Sequence, residues 1–201
     1  MKESKFTGSA CGLFGWNLLI VLATYAFIIP VVFVLPKYVK WYYSHVTIDG
    51  EQLEFKFEGP WWGYLGWTLF VIATLGLGGP YAAKKMAQWE IQHTHIIGDT
   101  ESNSDFDGSA WGILGYSLLS VLSIYALIFP FAWMYVILNR WYNNHTVISG
   151  KRLSLRHDGP WFGVLGWILF AFITLGIGSF YAQKKQIQWI YAHTHFTDLI
   201  E

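Results

Sequence analysis

The sequence predicts an all-α membrane protein with four transmembrane helices, arranged as two parallel tandem repeats with small extramembrane β-hairpins. Three observations predict this fold: the chain repeats itself, four long segments carry no charge, and glycine recurs at helical spacing where each segment begins. The composition agrees, since 54% of the 201 residues are hydrophobic and only 13% are charged. An average soluble domain has roughly 25% charged residues.

The repeat covers the whole chain. Aligned without a gap, residues 1–100 and 101–200 share 43 identical pairs. The clearest stretch is EGPWWGYLGW at residues 58–67, which returns as DGPWFGVLGW at residues 158–167. Self-similarity at a fixed period indicates a duplicated structural unit. We therefore predict two membrane repeats, residues 1–100 and residues 101–201.

Four segments lack Asp, Glu, Lys and Arg, and they are 25 to 32 residues long: residues 6–36, 59–83, 108–139 and 159–183. A helix needs about 20 apolar residues to cross a hydrocarbon core. The predicted spans are residues 10–36, 61–82, 110–138 and 161–182. An alternative remains open, in which each segment enters the membrane and returns on the same side, with bends at Pro30 and at the TLGLGG sequence.

Glycine opens each uncharged segment at positions i, i+4 and i+7, which lie on one face of a helix. Small residues let membrane helices approach one another closely. The predicted helix-packing residues are Gly12, Gly15, Gly63, Gly66, Gly112, Gly115, Gly163 and Gly166. The alternative is that glycine and tryptophan simply gather near the membrane interface, where aromatic residues are enriched.

Residues 81–95 and 181–195 follow glycine-rich sequences and read as short amphipathic helices lying on the membrane. Lysine would face lipid phosphates and tryptophan would face acyl chains. The predicted interface residues are Lys84, Lys85, Trp89, Lys184, Lys185 and Trp189.

A β-hairpin is predicted between the two uncharged segments of each repeat. Asp49-Gly50 is a strong hairpin turn signal, and Leu53 and Phe55 alternate with charged residues at the period of a strand. The acidic, polar residues 98–108 are predicted to link the two repeats.

Two His-Thr-His triplets are the only candidates for a metal site. Residues i and i+2 of a strand point to the same side, so each pair could chelate a transition metal through imidazole. These weak candidates are His93, His95, His193 and His195. No further ligand stands at metal spacing nearby, and we expect them at the membrane surface, hydrogen-bonded locally. No catalytic residue and no cofactor is predicted.

The function predicted from these features is that of a non-enzymatic integral membrane protein. It would act as a helix-packing subunit or scaffold in contact with membrane lipid, forming a homo-oligomer or binding another membrane protein. The alternatives are an oligomeric pore or lipid-handling protein and a metal-dependent membrane enzyme using the histidine triplets. Nucleic acid is not expected as a partner, because the net charge is zero and long basic runs are absent.

One motif recurs in both halves: Thr74-Leu75-Gly76 with Tyr81, Lys84, Trp89, His93 and Thr94, and the equivalent residues one hundred positions later. In this pattern the chain resembles the YjgN-like bacterial inner-membrane proteins, a family with a domain of unknown function. The resemblance implies a multi-pass protein of the bacterial inner (cytoplasmic) membrane. It implies no activity, so it transfers no functional residue.

Overall fold

The structure, a computed structural model, describes residues 3–26, 29–99, 103–125, 128–156 and 161–197. Those residues form eight helices: α1 (Ala10–Tyr25), α2 (Val31–Tyr43), α3 (Trp62–Ala73), α4 (Gly79–Gln92), α5 (Ala110–Tyr125), α6 (Ile128–Asn144), α7 (Phe162–Ile173) and α8 (Ser179–Ala192). They also form eight strands: β1 (Lys5–Phe6), β2 (Val46–Ile48), β3 (Glu51–Phe55), β4 (Thr94–Ile96), β5 (Asp105–Phe106), β6 (Thr146–Ile148), β7 (Lys151–Leu155) and β8 (Thr194–Thr197).

Each repeat contains one four-stranded antiparallel sheet, with strand order β1-β2-β3-β4 in the first repeat and β5-β6-β7-β8 in the second. The predicted β-hairpins are confirmed. Asp49-Gly50 and Ser149-Gly150 form two-residue turns with positive φ at both positions, as a type I′ hairpin turn requires. Part of the predicted linker, Asp105–Phe106, is a strand of the second sheet.

Local contacts set the start of α1 and the end of α3. Ser9 Oγ accepts a hydrogen bond from the Gly12 amide at 2.9 Å and thereby caps the start of α1. Helix α3 ends because Leu75 and Gly76 have φ values of 50° and 89°, the left-handed conformation that commonly ends helices. Thr74 holds this end: its Oγ1 accepts a hydrogen bond from the Gly78 amide at 2.9 Å.

The prediction of four membrane-spanning helices is wrong. In the part of the chain that the structure describes, no helix combines the length and the apolar character that crossing a membrane requires. The longest of these helices, α6, has 17 residues, which corresponds to about 26 Å. The predicted span 61–82, for example, contains α3, a turn and only the first residues of α4.

The prediction failed because the absence of charge reports only hydropathy. Helix length is set instead by the left-handed turn after Ala73 and by the turn before Val31. Residues 27, 28, 126 and 127 of the predicted spans lie outside the described residues. The all-α fold is corrected to a mixed architecture of helices and two antiparallel sheets. The multi-pass inner-membrane location inferred from four spans is corrected with it.

Helices are paired instead as helical hairpins that begin and end at a sheet. Helix α1 follows β1 and α2 leads into β2, and likewise α3 follows β3 and α4 leads into β4. The turn between α3 and α4 therefore lies at the end remote from the strands. It stands at TLGLGG, where the alternative interpretation put one of its bends, and Pro30, the other predicted bend, immediately precedes α2.

The two repeats interlock through reciprocal contacts. Each helix packs against the next one in the chain, and α8 packs against α1, so that the eight helices close into a ring. Gln88 Nε2 donates a hydrogen bond to the Phe106 carbonyl at 3.1 Å, and Gln188 Nε2 donates to the Phe6 carbonyl at 3.1 Å. Equivalent residues exchanging equivalent contacts are the mark of a two-fold arrangement. The repeats thus form an internal pseudo-dimer.

Candidate functional site

Two features of the molecule are candidates for function: an exposed apolar surface and a cavity between helices. The apolar surface includes helices α1, α3, α5 and α7, and none of these helices contains a charged residue or histidine. Many of their large side chains are about half exposed, including Leu22, Ile72 and Leu122. Scattered exposed apolar residues are ordinary, but a large continuous apolar surface marks an interaction site.

Exposure is greatest at the turns that follow α3 and α7. The exposed fractions are 92% for Leu75, 88% for Leu77, 91% for Leu175 and 90% for Ile177. Leu75 and Leu175 also have left-handed backbone conformations, with φ of 50° and 49°. For a residue with a Cβ this conformation costs about 1–2 kcal/mol. Each repeat therefore exposes a leucine side chain from a strained backbone position.

Lysine and aromatic side chains lie next to these turns. Lys85 Nζ is 5.7 Å from the ring centre of Tyr81, and Lys185 Nζ is 5.6 Å from that of Tyr181 and 5.9 Å from that of Trp167. These distances suit cation–π contacts. Among the residues that the structure describes, no carboxylate forms an ion pair with Lys84, Lys85, Lys184 or Lys185.

The two tryptophans predicted for the same interface are placed differently. Trp89 stacks on Trp61 with ring centres 3.7 Å apart and planes 5° apart. Trp189 packs, half-buried, against the apolar cluster of the second repeat. Both indoles thus contribute to the interior, and the four lysines are themselves partly buried.

Half of the predicted helix-packing glycines accommodate an indole ring. A Cβ atom added at Gly12 would lie 2.5 Å from Cζ2 of Trp41, and one at Gly112 would lie 2.4 Å from Cζ2 of Trp141. At Gly63 and Gly163 the nearest atom would be the indole nitrogen of Trp61 at 2.6 Å and of Trp189 at 3.0 Å. The other four face space in which the structure places nothing within 4 Å: Gly15, Gly66, Gly115 and Gly166.

The four candidate metal ligands are engaged separately. His93 and His193 each donate from Nδ1 to the carbonyl of the tryptophan four residues earlier, at 2.7 Å. His95 Nδ1 lies 3.4 Å from Ser104 Oγ, and His195 Nδ1 donates to Asp49 Oδ1 of the other repeat at 2.8 Å. Within the described ranges, no group of three or more His, Cys, Asp or Glu side chains is placed to hold a metal ion.

The cavity lies between α2 and α4 of the first repeat and α8 of the second, and its volume is about 500 Å³. Its walls are mainly aromatic and aliphatic: Leu35, Tyr38, Val39, Tyr42, Tyr43, Trp61, Met86, Trp89, Glu90, Gln183, Ile187 and Tyr191. Glu90 is the one charged residue in this lining, which contains no lysine, arginine or histidine.

Glu90 is held in place by a tyrosine. Tyr43 Oη donates a hydrogen bond to Glu90 Oε1 at 2.9 Å. Burial raises the pKa of the Glu90 carboxyl, and the hydrogen bond from Tyr43 opposes that rise. Burial also raises the pKa of Tyr42, Tyr43 and Tyr191 well above the ordinary value, so these phenols stay neutral. The cavity therefore offers one ionisable acid among neutral hydroxyls and rings.

The second repeat lacks this site. Ile190 stands at the position of Glu90, is only 6% exposed, and packs with Val136, Leu155 and Val164. The sequence analysis did not predict Glu90, Tyr43 and Tyr191, because its candidate residues were those that the two repeats share. The available signal was the reverse: an acid in one repeat where the other has isoleucine.

Comparison with known proteins identifies a family. A family model described as "Bacterial protein of unknown function (DUF898)" matches residues 1–109. Neither a curated protein nor a solved structure matches the chain.

Proposed function

Since the chain belongs to the bacterial family of unknown function DUF898, as its resemblance to the YjgN-like proteins indicated, we propose a function from its own geometry. The protein binds a lipid surface through the turns that follow α3 and α7, and none of the helices that the structure describes crosses the lipid layer. Its scaffold role, in this proposal, is to hold the two sheets at that surface.

The observation that carries the proposal is the pair of turns at residues 74–78 and 174–178. Their four apolar side chains are about nine-tenths exposed, and each turn includes a leucine with left-handed backbone. Burying such a side chain in an apolar environment is worth about 1.5–3 kcal/mol. Backbone strain of this kind is frequent at functional contacts. An apolar lipid layer provides the missing contact.

The charges beside these turns select the lipid. Lys84, Lys85, Lys184 and Lys185 lie one to two helical turns beyond them. Lys85 lies next to the ring of Tyr81, and Lys185 lies next to those of Trp167 and Tyr181. Each lysine near an anionic lipid surface contributes about 1 kcal/mol. Apolar turns flanked by lysine and aromatic side chains match the order of acyl chain and headgroup in a lipid layer.

Self-association through the same apolar faces is the competing use of this surface, and it follows the oligomeric scaffold predicted from the sequence. The metal-dependent enzyme has less support. The Nδ1 atoms of His93, His193 and His195 bond protein oxygens, and the triplets belong to separate sheets.

Vesicle flotation of the purified full chain tests the proposal. We expect the protein to float with phosphatidylcholine vesicles and to bind more strongly when phosphatidylglycerol is included. The double variant Leu75→Asn, Leu175→Asn removes two apolar side chains, while asparagine tolerates the left-handed conformation. Binding should fall at least about tenfold with thermal stability maintained. The control Ile97→Asn, at an exposed position that follows β4, should bind like the wild type.

Two results would contradict the proposal. Equal flotation of the wild type and the double variant would show that the turns do not contact lipid. A wild-type chain that fails to float, but forms a dimer that the double variant cannot form, would assign the turns to self-association instead.

A further inference from the structure

We propose that the cavity around Glu90 binds an organic ammonium ion: a cationic nitrogen carrying an apolar body. This ligand goes beyond lipid docking, because the cavity lies between α2, α4 and α8 and uses none of the residues of the exposed turns.

The dimensions and walls of the cavity suit a small organic molecule. Its volume of about 500 Å³ falls within the range of roughly 300–1,000 Å³ that small-molecule sites occupy. Such sites combine apolar walls with a few polar groups that orient the ligand. Here Leu35, Val39 and Ile187 provide apolar walls, while Glu90 provides the single charge.

The charge of the cavity selects a cation. Glu90 receives a hydrogen bond from Tyr43, but in the described part of the chain no basic side chain lines either cavity that Glu90 borders. An ionised carboxylate in such surroundings is costly unless a positive charge pairs with it. An anionic ligand would add repulsion to that cost. A bound ammonium would supply the missing partner.

The aromatic walls favour an ammonium group over a metal ion. The faces of tryptophan and tyrosine attract ammonium groups, and cages of such rings recognise quaternary ammonium ligands. Trp61, Trp89, Tyr38, Tyr42 and Tyr191 all border the cavity. A metal ion would need several oxygen, nitrogen or sulfur ligands, whereas the lining offers one carboxylate and phenols kept neutral by burial.

The proposal couples ligand binding to a proton. Without a cation, burial raises the pKa of Glu90 and favours the protonated acid. Binding of an ammonium favours the ionised form and therefore releases a proton. The other titratable groups that face Glu90 are Tyr38, Tyr42, Tyr43, Tyr142 and Tyr191, and burial raises the pKa of each. Affinity should thus rise with pH through the titration of Glu90 alone.

Isothermal titration calorimetry with hexyltrimethylammonium, on the full chain and without vesicles, tests the site. Hexanoate and hexanol have the same apolar length with a negative or no charge. We expect saturable binding of the ammonium at one site per chain and weaker binding of both controls. Glu90→Gln should reduce the affinity at least about tenfold, the loss expected for one desolvated charge contact. Glu54→Gln, at a surface ion pair with Lys56, should bind like the wild type.

The proposal is overturned if the wild type shows no saturable binding, if hexanoate binds equally well, or if Glu90→Gln binds the ammonium unchanged. Should Glu90→Gln fail to fold, the wild type still decides: affinity independent of pH across the acidic to neutral range would refute the role of Glu90. The Leu75→Asn, Leu175→Asn variant separates this proposal from lipid docking, because it should bind the ammonium with wild-type affinity.

Discussion

The two repeats share most amino acids of the turns that follow α3 and α7, and they differ at most of the positions that line the cavity. Residues 74–76 are identical to 174–176, and Tyr81, Lys84 and Lys85 are also repeated. By contrast, residues 31–40, the outer part of α2, share no identical pair with residues 131–140 of α6. The duplicated features carry the proposed lipid contact, and the diverged features form the cavity.

The divergence has a direct structural consequence. Among the twelve residues that line the cavity, only Tyr42, Trp61 and Trp89 have identical counterparts in the other repeat. In the first repeat Glu90 faces open volume, whereas Ile190 closes an apolar cluster in the second. One fold thus contains a packed apolar cluster around Ile190 and an open cavity around Glu90, so the proposed ligand site occurs at Glu90 and not at its counterpart.

The largest effect that this comparison predicts follows from Ile190→Glu. The new carboxyl would enter a cluster whose buried members, Val136, Leu155 and Val164, are all aliphatic, and we expect a loss of at least about 3 kcal/mol in the free energy of unfolding at neutral pH. Chemical denaturation measures this loss, which should diminish in acid as the carboxyl protonates.

The matched exchange in the other repeat, Glu90→Ile, removes a carboxyl that burial already disfavours as an ion. It should cost little stability or increase it. If Ile190→Glu is tolerated as well as Glu90→Ile, the second repeat must have a polar cavity of its own, and the contrast between the repeats fails.

A smaller effect is expected where the sheets of the two repeats meet. Asp49 Oδ2 accepts a hydrogen bond from the Phe196 amide at 2.7 Å, and its Oδ1 accepts one from His195 at 2.8 Å. The equivalent Ser149 accepts a single bond from the Ile96 amide, at 3.0 Å. Asp49→Ser should therefore cost about 1–2 kcal/mol, since one bond is lost and the other loses its charge.

The reverse exchange, Ser149→Asp, should stabilise the protein, because the Ile96 amide that now bonds the Ser149 hydroxyl would donate to a charged carboxylate instead. Thermal unfolding of both variants at one pH measures the two changes. Changes of the same sign would mean that the two halves of this interface are not equivalent in geometry.

How much of this structure the sequence could predict depends on the range of the interactions involved. The hairpin turns at Asp49-Gly50 and Ser149-Gly150 were predictable, because adjacent residues determine a two-residue turn. The breaks at Pro30 and TLGLGG were visible too, but absence of charge across them suggested continuous helices. Whether Leu75 adopts the left-handed conformation depends on the bonds of Thr74, which hydropathy does not report.

The cavity was harder to predict from the sequence, because its residues come from both repeats. Glu90 and Tyr191 are in different repeats, and only the ring closure of α8 against α1 and β1 brings α8 beside α2. The exchange of His195 and Asp49 across the repeats was equally hidden, since 146 positions separate them. The glycines show the same limit: identical spacing places Gly12 against an indole and leaves Gly15 open.

The smallest effect concerns the turns, where the repeats should respond alike. Thr74 Oγ1 donates to the Phe70 carbonyl at 2.8 Å and accepts from the Gly78 amide at 2.9 Å, and Thr174 makes the same two bonds at 2.9 and 3.0 Å. Valine has nearly the same shape but no hydroxyl, so Thr74→Val and Thr174→Val should each cost about 1 kcal/mol, the usual worth of such contacts. Thr68→Ile provides the control, since Thr68 bonds only its own helix and isoleucine already stands at the equivalent position 168. Equal decreases in melting temperature for the two valine variants, with little change in the control, would support two equivalent turns. A decrease confined to one repeat would mean that the two turns contribute unequally to stability. Lipid contact should then be tested on each turn separately.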